Sequence, residues 1–156
     1  MTINSLPALR IRNGFSLLAA VALILLAAVQ PLRAFIDEAL SIAYEAAVPF
    51  VEKGFEVRED HWTGEIPSGE PKLVRHQLFR GNEYWFWLGT SFDDCEVTVE
   101  IFDAEGDSVG LETFSEGKTG GVRVLPSQTG TYYLRVTVTS QSGQPSLDWA
   151  LVYGYR

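Results

Sequence analysis

Two segments alternate apolar and polar residues without a break, and they constrain the fold more than any other feature of the chain. In Glu96–Phe102 (EVTVEIF), Val97, Val99 and Ile101 fall on one side and Glu96, Thr98 and Glu100 on the other. In Thr131–Thr139 (TYYLRVTVT), Tyr132, Leu134, Val136 and Val138 oppose Tyr133, Arg135 and Thr137. A strand sends successive side chains to opposite faces, so each segment reads as a strand with one face in a core and one in water. Shorter β-rich runs accompany them: Phe55–Arg58, Trp62–Ile66, Leu73–Phe79, Tyr84–Gly89, Ser108–Phe114, Val122–Leu125 and Leu147–Tyr155. Turn clusters separate these runs, as at Pro67-Ser68-Gly69, Arg80-Gly81-Asn82, Asp103–Asp107 and Pro126–Gly130, and Gly117–Gly121 reads as a flexible loop. No long crossover helix interrupts them, which argues against a parallel sheet. The pattern predicts an all-β fold over residues 54–156: an antiparallel, jelly-roll-like β-sandwich of about eight strands.

The first 34 residues have a different texture. Arg10 and Arg12 precede an uncharged apolar run of 15 residues, Phe15–Val29, which Pro31 breaks before the small residue Ala34. A basic start, a short apolar run and a small residue at the cut predict a signal peptide over residues 1–34. A spanning helix needs about 20 apolar residues, so an uncleaved anchor and a buried helix are the alternatives. Export places the protein in the periplasm or outside the cell. Phe35–Lys53 then reads as a helix, with Ile36, Leu40, Ala43, Ala47 and Phe50 recurring every three or four residues and Asp37 and Glu38 in its first turn. It could be a spacer, a helix packed on the sandwich, or a helix that docks on a partner.

Cleavage at Ala34 would remove three arginines and no acidic residue, leaving 9 Lys and Arg against 20 Asp and Glu, a net charge of −11. That balance opposes nucleic acid, whose phosphates require Lys and Arg, and an anionic membrane surface. Cys95 is the only cysteine, so an intrachain disulfide and a CxxC pair are both excluded. Between Asp94 and Glu96 its thiolate is disfavoured.

The order of features over Leu73–Tyr155 resembles the bacterial pre-peptidase C-terminal domain family. The residues that carry the likeness are the glycine ahead of an aromatic strand (Arg80-Gly81-Asn82-Glu83-Tyr84-Trp85-Phe86), the strand entering an acidic turn (Val99–Gly106), the Gly-x-Tyr-Tyr-x-x-Val strand (Gly130–Val136) and the bulky final strand (Trp149–Tyr153). The resemblance implies a non-catalytic β-sandwich accessory module of exported proteins that binds a substrate or surface, aids export or stabilises, sometimes with calcium.

Two groups of residues are candidates for chemistry. Asp103, Glu105 and Asp107 place carboxylates at alternate positions, a pattern compatible with calcium, which takes about six to eight oxygen ligands. The EF-hand pattern fails at Ser108 and Phe114, and a solvated hairpin turn is the plainer reading. Trp85 and Trp87 share one face of the Tyr84–Gly89 strand. Exposed, they would form a platform for a sugar ring or a protein partner; otherwise the helix or a sheet edge covers them. His61 and His76 are expected on strand or loop surfaces, and no GxSxG, HExxH, P-loop or GxGxxG motif occurs. The leading expectation is therefore a secreted or periplasmic, non-enzymatic binding or accessory protein for carbohydrate or a cell-surface partner. The alternatives are a small secreted hydrolase with an unrecognised site, or an assembly subunit docked through its helix.

Overall fold

The computed structural model describes the backbone from residue 30 and the side chains from residue 38 to Arg156; the apolar run and the signal peptide read from it lie outside the described residues. One helix, α1 (Gln30–Val51), precedes eight strands among the described residues: β1 (Glu56–Pro67), β2 (Pro71–Leu78), β3 (Tyr84–Gly89), β4 (Cys95–Phe102), β5 (Glu112–Glu116), β6 (Thr119–Val124), β7 (Gly130–Ser140) and β8 (Ser146–Tyr155). They form a five-stranded sheet in the order β1-β8-β3-β6-β5 and a three-stranded sheet in the order β2-β7-β4. Every pairing is antiparallel. The pairs β1·β8, β2·β7 and β3·β6 are nested, as in a long hairpin wound into a jelly roll. The innermost pair of such a roll, β4·β5, does not form: β5 pairs with β6, and a single bridge joins Phe102 to Ser108 in the segment ahead of β5.

The alternating segments behave as the sequence predicts. Val97, Val99 and Ile101 of β4 and Tyr132, Leu134, Val136 and Val138 of β7 are at most 2% exposed and meet Phe86, Leu88, Val122 and Leu151 of the opposing sheet. Two features differ. Phe55–Arg58 and Trp62–Ile66, read as separate runs, belong to one strand, β1, whose register against β8 shifts between Val57 and His61. Gly117–Gly121, read as a flexible loop, contains the start of β6. Its glycines are there for close approach: a Cβ on Gly120 would lie 2.4 Å from the Val97 carbonyl oxygen, and one on Gly121 2.8 Å from that of Phe86.

The outer face of the five-stranded sheet is dry over its central strands β3 and β8, while its edge strands keep exposed residues such as Glu65 and Glu112. Helix α1 lays Ala39, Ala43 and Ala47, each at most 1% exposed, against Trp85, Trp87, Ala150 and Val152. The fit leaves no room for a side chain at Gly89, where a Cβ would stand 2.6 Å from the Ala39 carbonyl oxygen. β3 and β8 are consequently buried on both faces and read as continuous apolar runs. The helix begins earlier than expected, with Pro31 in its first turn, where a missing N–H costs nothing. Asp37 and Glu38 therefore lie beyond that turn. It ends in a Schellman motif, with Phe55 N–H bonded to the Phe50 carbonyl at 3.1 Å, Gly54 N–H to that of Val51 at 3.0 Å, and the Phe50 and Phe55 rings in contact at 6.2 Å. The helix from Ala34 onward and the sandwich thus share one compact unit, Ala34–Arg156. Among the described residues, no helix is long and apolar enough to cross a membrane.

Polar contacts fasten the ends of this unit. Glu83, ahead of β3, accepts from Arg123 of β6 at 3.0 Å and from Arg156 at 2.8 Å, while Arg156 also donates to the Lys53 carbonyl at 2.8 Å. Burial opposes the Glu83 charge, but the two guanidinium groups outweigh it and hold the carboxyl below the usual carboxylate range. At the opposite end, buried Asp148 accepts from Thr90 Oγ1 and Ser91 N–H through one oxygen, both at 2.9 Å.

Candidate functional site

The tryptophan platform does not exist as a surface. Trp85 and Trp87 do share a face and stack 6.4 Å apart, but they are 4% and 0% exposed. Phe50 of α1 lies 4.7 and 5.2 Å from their rings. The two indoles are the hydrophobic seat of the helix.

The acidic turn is closed on itself. Asp103 Oδ1 accepts the N–H groups of Glu105 at 3.1 Å and Asp107 at 2.8 Å, and the Asp103 N–H donates to the Asp107 carbonyl at 3.0 Å. Such local side-chain to backbone bonds define an Asx turn. Among the described residues, no three His, Cys, Asp or Glu side chains are placed to hold a metal ion together. The carboxylates of this turn instead flank a groove, which Asp103 and Glu105 line and Asp107 does not.

That groove crosses the outer face of the three-stranded sheet, which no helix covers among the described residues. It encloses about 600 Å³ between Pro71 and Leu73 of β2 on one side and residues 103–106 on the other, with Tyr133 and Arg135 of β7 and Phe102 of β4 along its floor. Register explains the grouping: Tyr133 faces Phe102 and Arg135 faces both Leu73 and Glu100, so residues some 60 positions apart become neighbours. Leu73 is 61% exposed and Tyr133 36%. The Arg135 guanidinium lies 5.1 Å from the centre of the Phe102 ring and bonds Glu100 Oε2 at 2.6 and 2.7 Å. With that pair neutral, the turn leaves the groove an acidic wall beside an apolar and aromatic floor. The alternation of β7 places Tyr133 and Arg135 on the wet face of their strand but does not point to a site. The available signal was an aromatic residue on a face that water alone should occupy.

The histidines divide. His61 is exposed, its Nδ1 2.8 Å from the Glu59 carbonyl oxygen. His76, expected at the surface, instead points inward at the sandwich rim, with Trp62 and Tyr153 at 5.1 and 4.6 Å. Burial pushes its pKa below the usual histidine value, with Asp60 opposing the shift. Cys95 is half-buried; burial, then Asp148, Asp94 and Asp93, raise its pKa, as the flanking carboxylates led one to expect.

No known protein-family model matches this chain, and no curated protein sequence matches it.

Proposed function

We propose that the chain is a non-catalytic accessory module, secreted or periplasmic, that grips a macromolecular partner in the groove over its three-stranded sheet. The observation that carries this reading is the unequal treatment of the apolar residues on the two outer faces: α1 covers those of β3 and β8, whereas the other face leaves Leu73 and Tyr133 in water beside an acidic wall. Exposed apolar residues gathered in a groove and rimmed by polar groups are the usual mark of an interaction surface. The partner that fits is a cell-surface protein presenting apolar side chains next to Lys or Arg. The export pattern at residues 10–34 and the likeness to pre-peptidase C-terminal domains support the same setting.

The test is retention on isolated envelopes of the producing cell, comparing the natural chain with Leu73→Ser/Tyr133→Ser. Both positions are exposed, so the fold should persist. Loss of retention in the double variant, and its weakening as salt rises, is the expected result; equal retention of both chains would refute the assignment.

A further inference from the structure

A second site lies at the opposite rim, where β1 and β2 part and the sheets leave a cleft of about 310 Å³. β1 supplies Arg58, β2 His76 and Gln77, and β8 Tyr153 and Tyr155. Tyr84 of β3 and Asn82 of the preceding turn complete the polar lining. Aromatic rings build the walls: His76 and Tyr153 lie 4.6 Å apart and Tyr84 and Tyr155 5.7 Å, while Trp62 packs on His76 at 5.1 Å. The Tyr84 hydroxyl is fixed in place, accepting from the Phe79 N–H at 3.1 Å and from Asn82 Nδ2 at 3.2 Å. No Asp or Glu lines the cleft. Its one permanent charge, Arg58, is shared with Glu56 at 2.6 Å and sits 5.8 Å from the centre of the Tyr155 ring.

We propose that this cleft binds a single ring of a neutral saccharide. A sugar hydroxyl both donates and accepts, and the C–H face of the ring is apolar. The Tyr153 and Tyr155 hydroxyls, the Gln77 amide and an imidazole each offer the same double capacity, Tyr84 keeps its donor and Asn82 its amide oxygen and second N–H, and the aromatic faces receive the C–H face. Burial, with Asp60 opposing it, disfavours the protonated form of His76, and the uncharged ring carries one donor and one acceptor. An anionic ligand would need an unshared cation and a cationic one a carboxylate in the lining, and the cleft offers neither. The volume lies at the bottom of the range of about 300–1,000 Å³ for ligand sites, which suits a ligand of the size of a single ring. This site is independent of the groove on the three-stranded sheet and shares none of its residues.

The experiment is a titration of the full chain with glucose, galactose, mannose and N-acetylglucosamine, and with glucuronate and glucosamine as charged controls, followed by amide NMR. At least one neutral sugar should shift the Asn82, Tyr84 and Tyr153 signals with a Kd of roughly millimolar order. Asn82→Ala should weaken that binding about tenfold, equivalent to one lost hydrogen bond. Tyr155→Phe removes only a hydroxyl and serves as the second variant where Asn82→Ala disturbs the turn; it should weaken binding several-fold. Silence of these signals up to about 100 mM of every neutral sugar, shifts that map elsewhere, affinities unchanged in both variants, or tighter binding of glucuronate or glucosamine would each overturn the proposal.

Discussion

Gly89 shows how narrow the tolerances are under α1. The helix backbone passes so close that a Cβ there would stand 2.6 Å from the Ala39 carbonyl oxygen and 2.7 Å from the Ala43 nitrogen. Neither neighbour is a side chain that could turn aside. Gly89→Ala should therefore lift the helix and cost about 1–3 kcal/mol, the usual range for overpacking. Gly130→Ala, with nothing within 4 Å of its new carbon, should stay within about 0.5 kcal/mol of the natural chain. Urea unfolding of the two variants checks the pair, and a red-shifted tryptophan emission in Gly89→Ala alone would locate the damage at Trp85 and Trp87. At the rim, His76 titrates in a way that stability can report. Its folded pKa is depressed by burial, so its neutral form contributes stability that is complete above the unfolded value near 6.5 and lost as pH falls through the folded one. His76→Phe removes that dependence. The stability of His76→Phe relative to the natural chain should rise as pH is lowered from about 7 to 5, measured by urea unfolding at each pH.

Among the elements, β4 and β7 were legible because their alternation is strict and each has one face in the core and one open to water. β3 was legible as a strand, and so was the pairing of Trp85 with Trp87 on one face. What covers that face was not: the alanines of α1 recur every four residues, but a periodic stripe does not say which surface it meets. β6 was hidden by Gly120 and Gly121, whose lack of side chains reads as looseness and in fact serves contact with Val97 and Phe86. β1 was split in the reading by its charged middle, Glu59-Asp60, which lies at the register shift. The groove on the three-stranded sheet was out of reach, because Leu73, Phe102 and Tyr133 meet only through strand register. At this scale the helix is the part to test. A chain beginning at Gly54 keeps the core between the sheets but bares Trp85, Trp87, Ala150 and Val152. It should fold, bind a hydrophobic dye strongly and self-associate, as contiguous apolar patches of a few hundred Å² or more do. Light scattering after size exclusion measures the association; a monodisperse monomer without dye binding would show that the helix is dispensable as cover.

Taken whole, the molecule carries far more acid than base, and its acid sensitivity should concentrate at one hub. Glu83 joins β3, β6 and the C-terminal Arg156, and its folded pKa is depressed. Its contribution is present above the ordinary carboxylate pKa of about 4.3 and lost as pH falls through the lower folded value. Glu83→Gln should cost about 1–2 kcal/mol at pH 7, allowing for screening at the partly exposed arginines. The gap in Tm between the variant and the natural chain should close as pH drops below about 4. A gap that persists in acid would assign the loss to packing rather than charge.

The nested pairing carries a kinetic consequence. β8, the last of the described strands, lies inside the five-stranded sheet between β1 and β3, and among the described residues β1 pairs with no other strand. During synthesis, the sheet cannot close until Tyr155 has emerged, and most of its contacts span long stretches of chain. Such a topology folds slowly. A growing polypeptide of this design cannot finish its five-stranded sheet until β8 has been made, however early its other strands are in place.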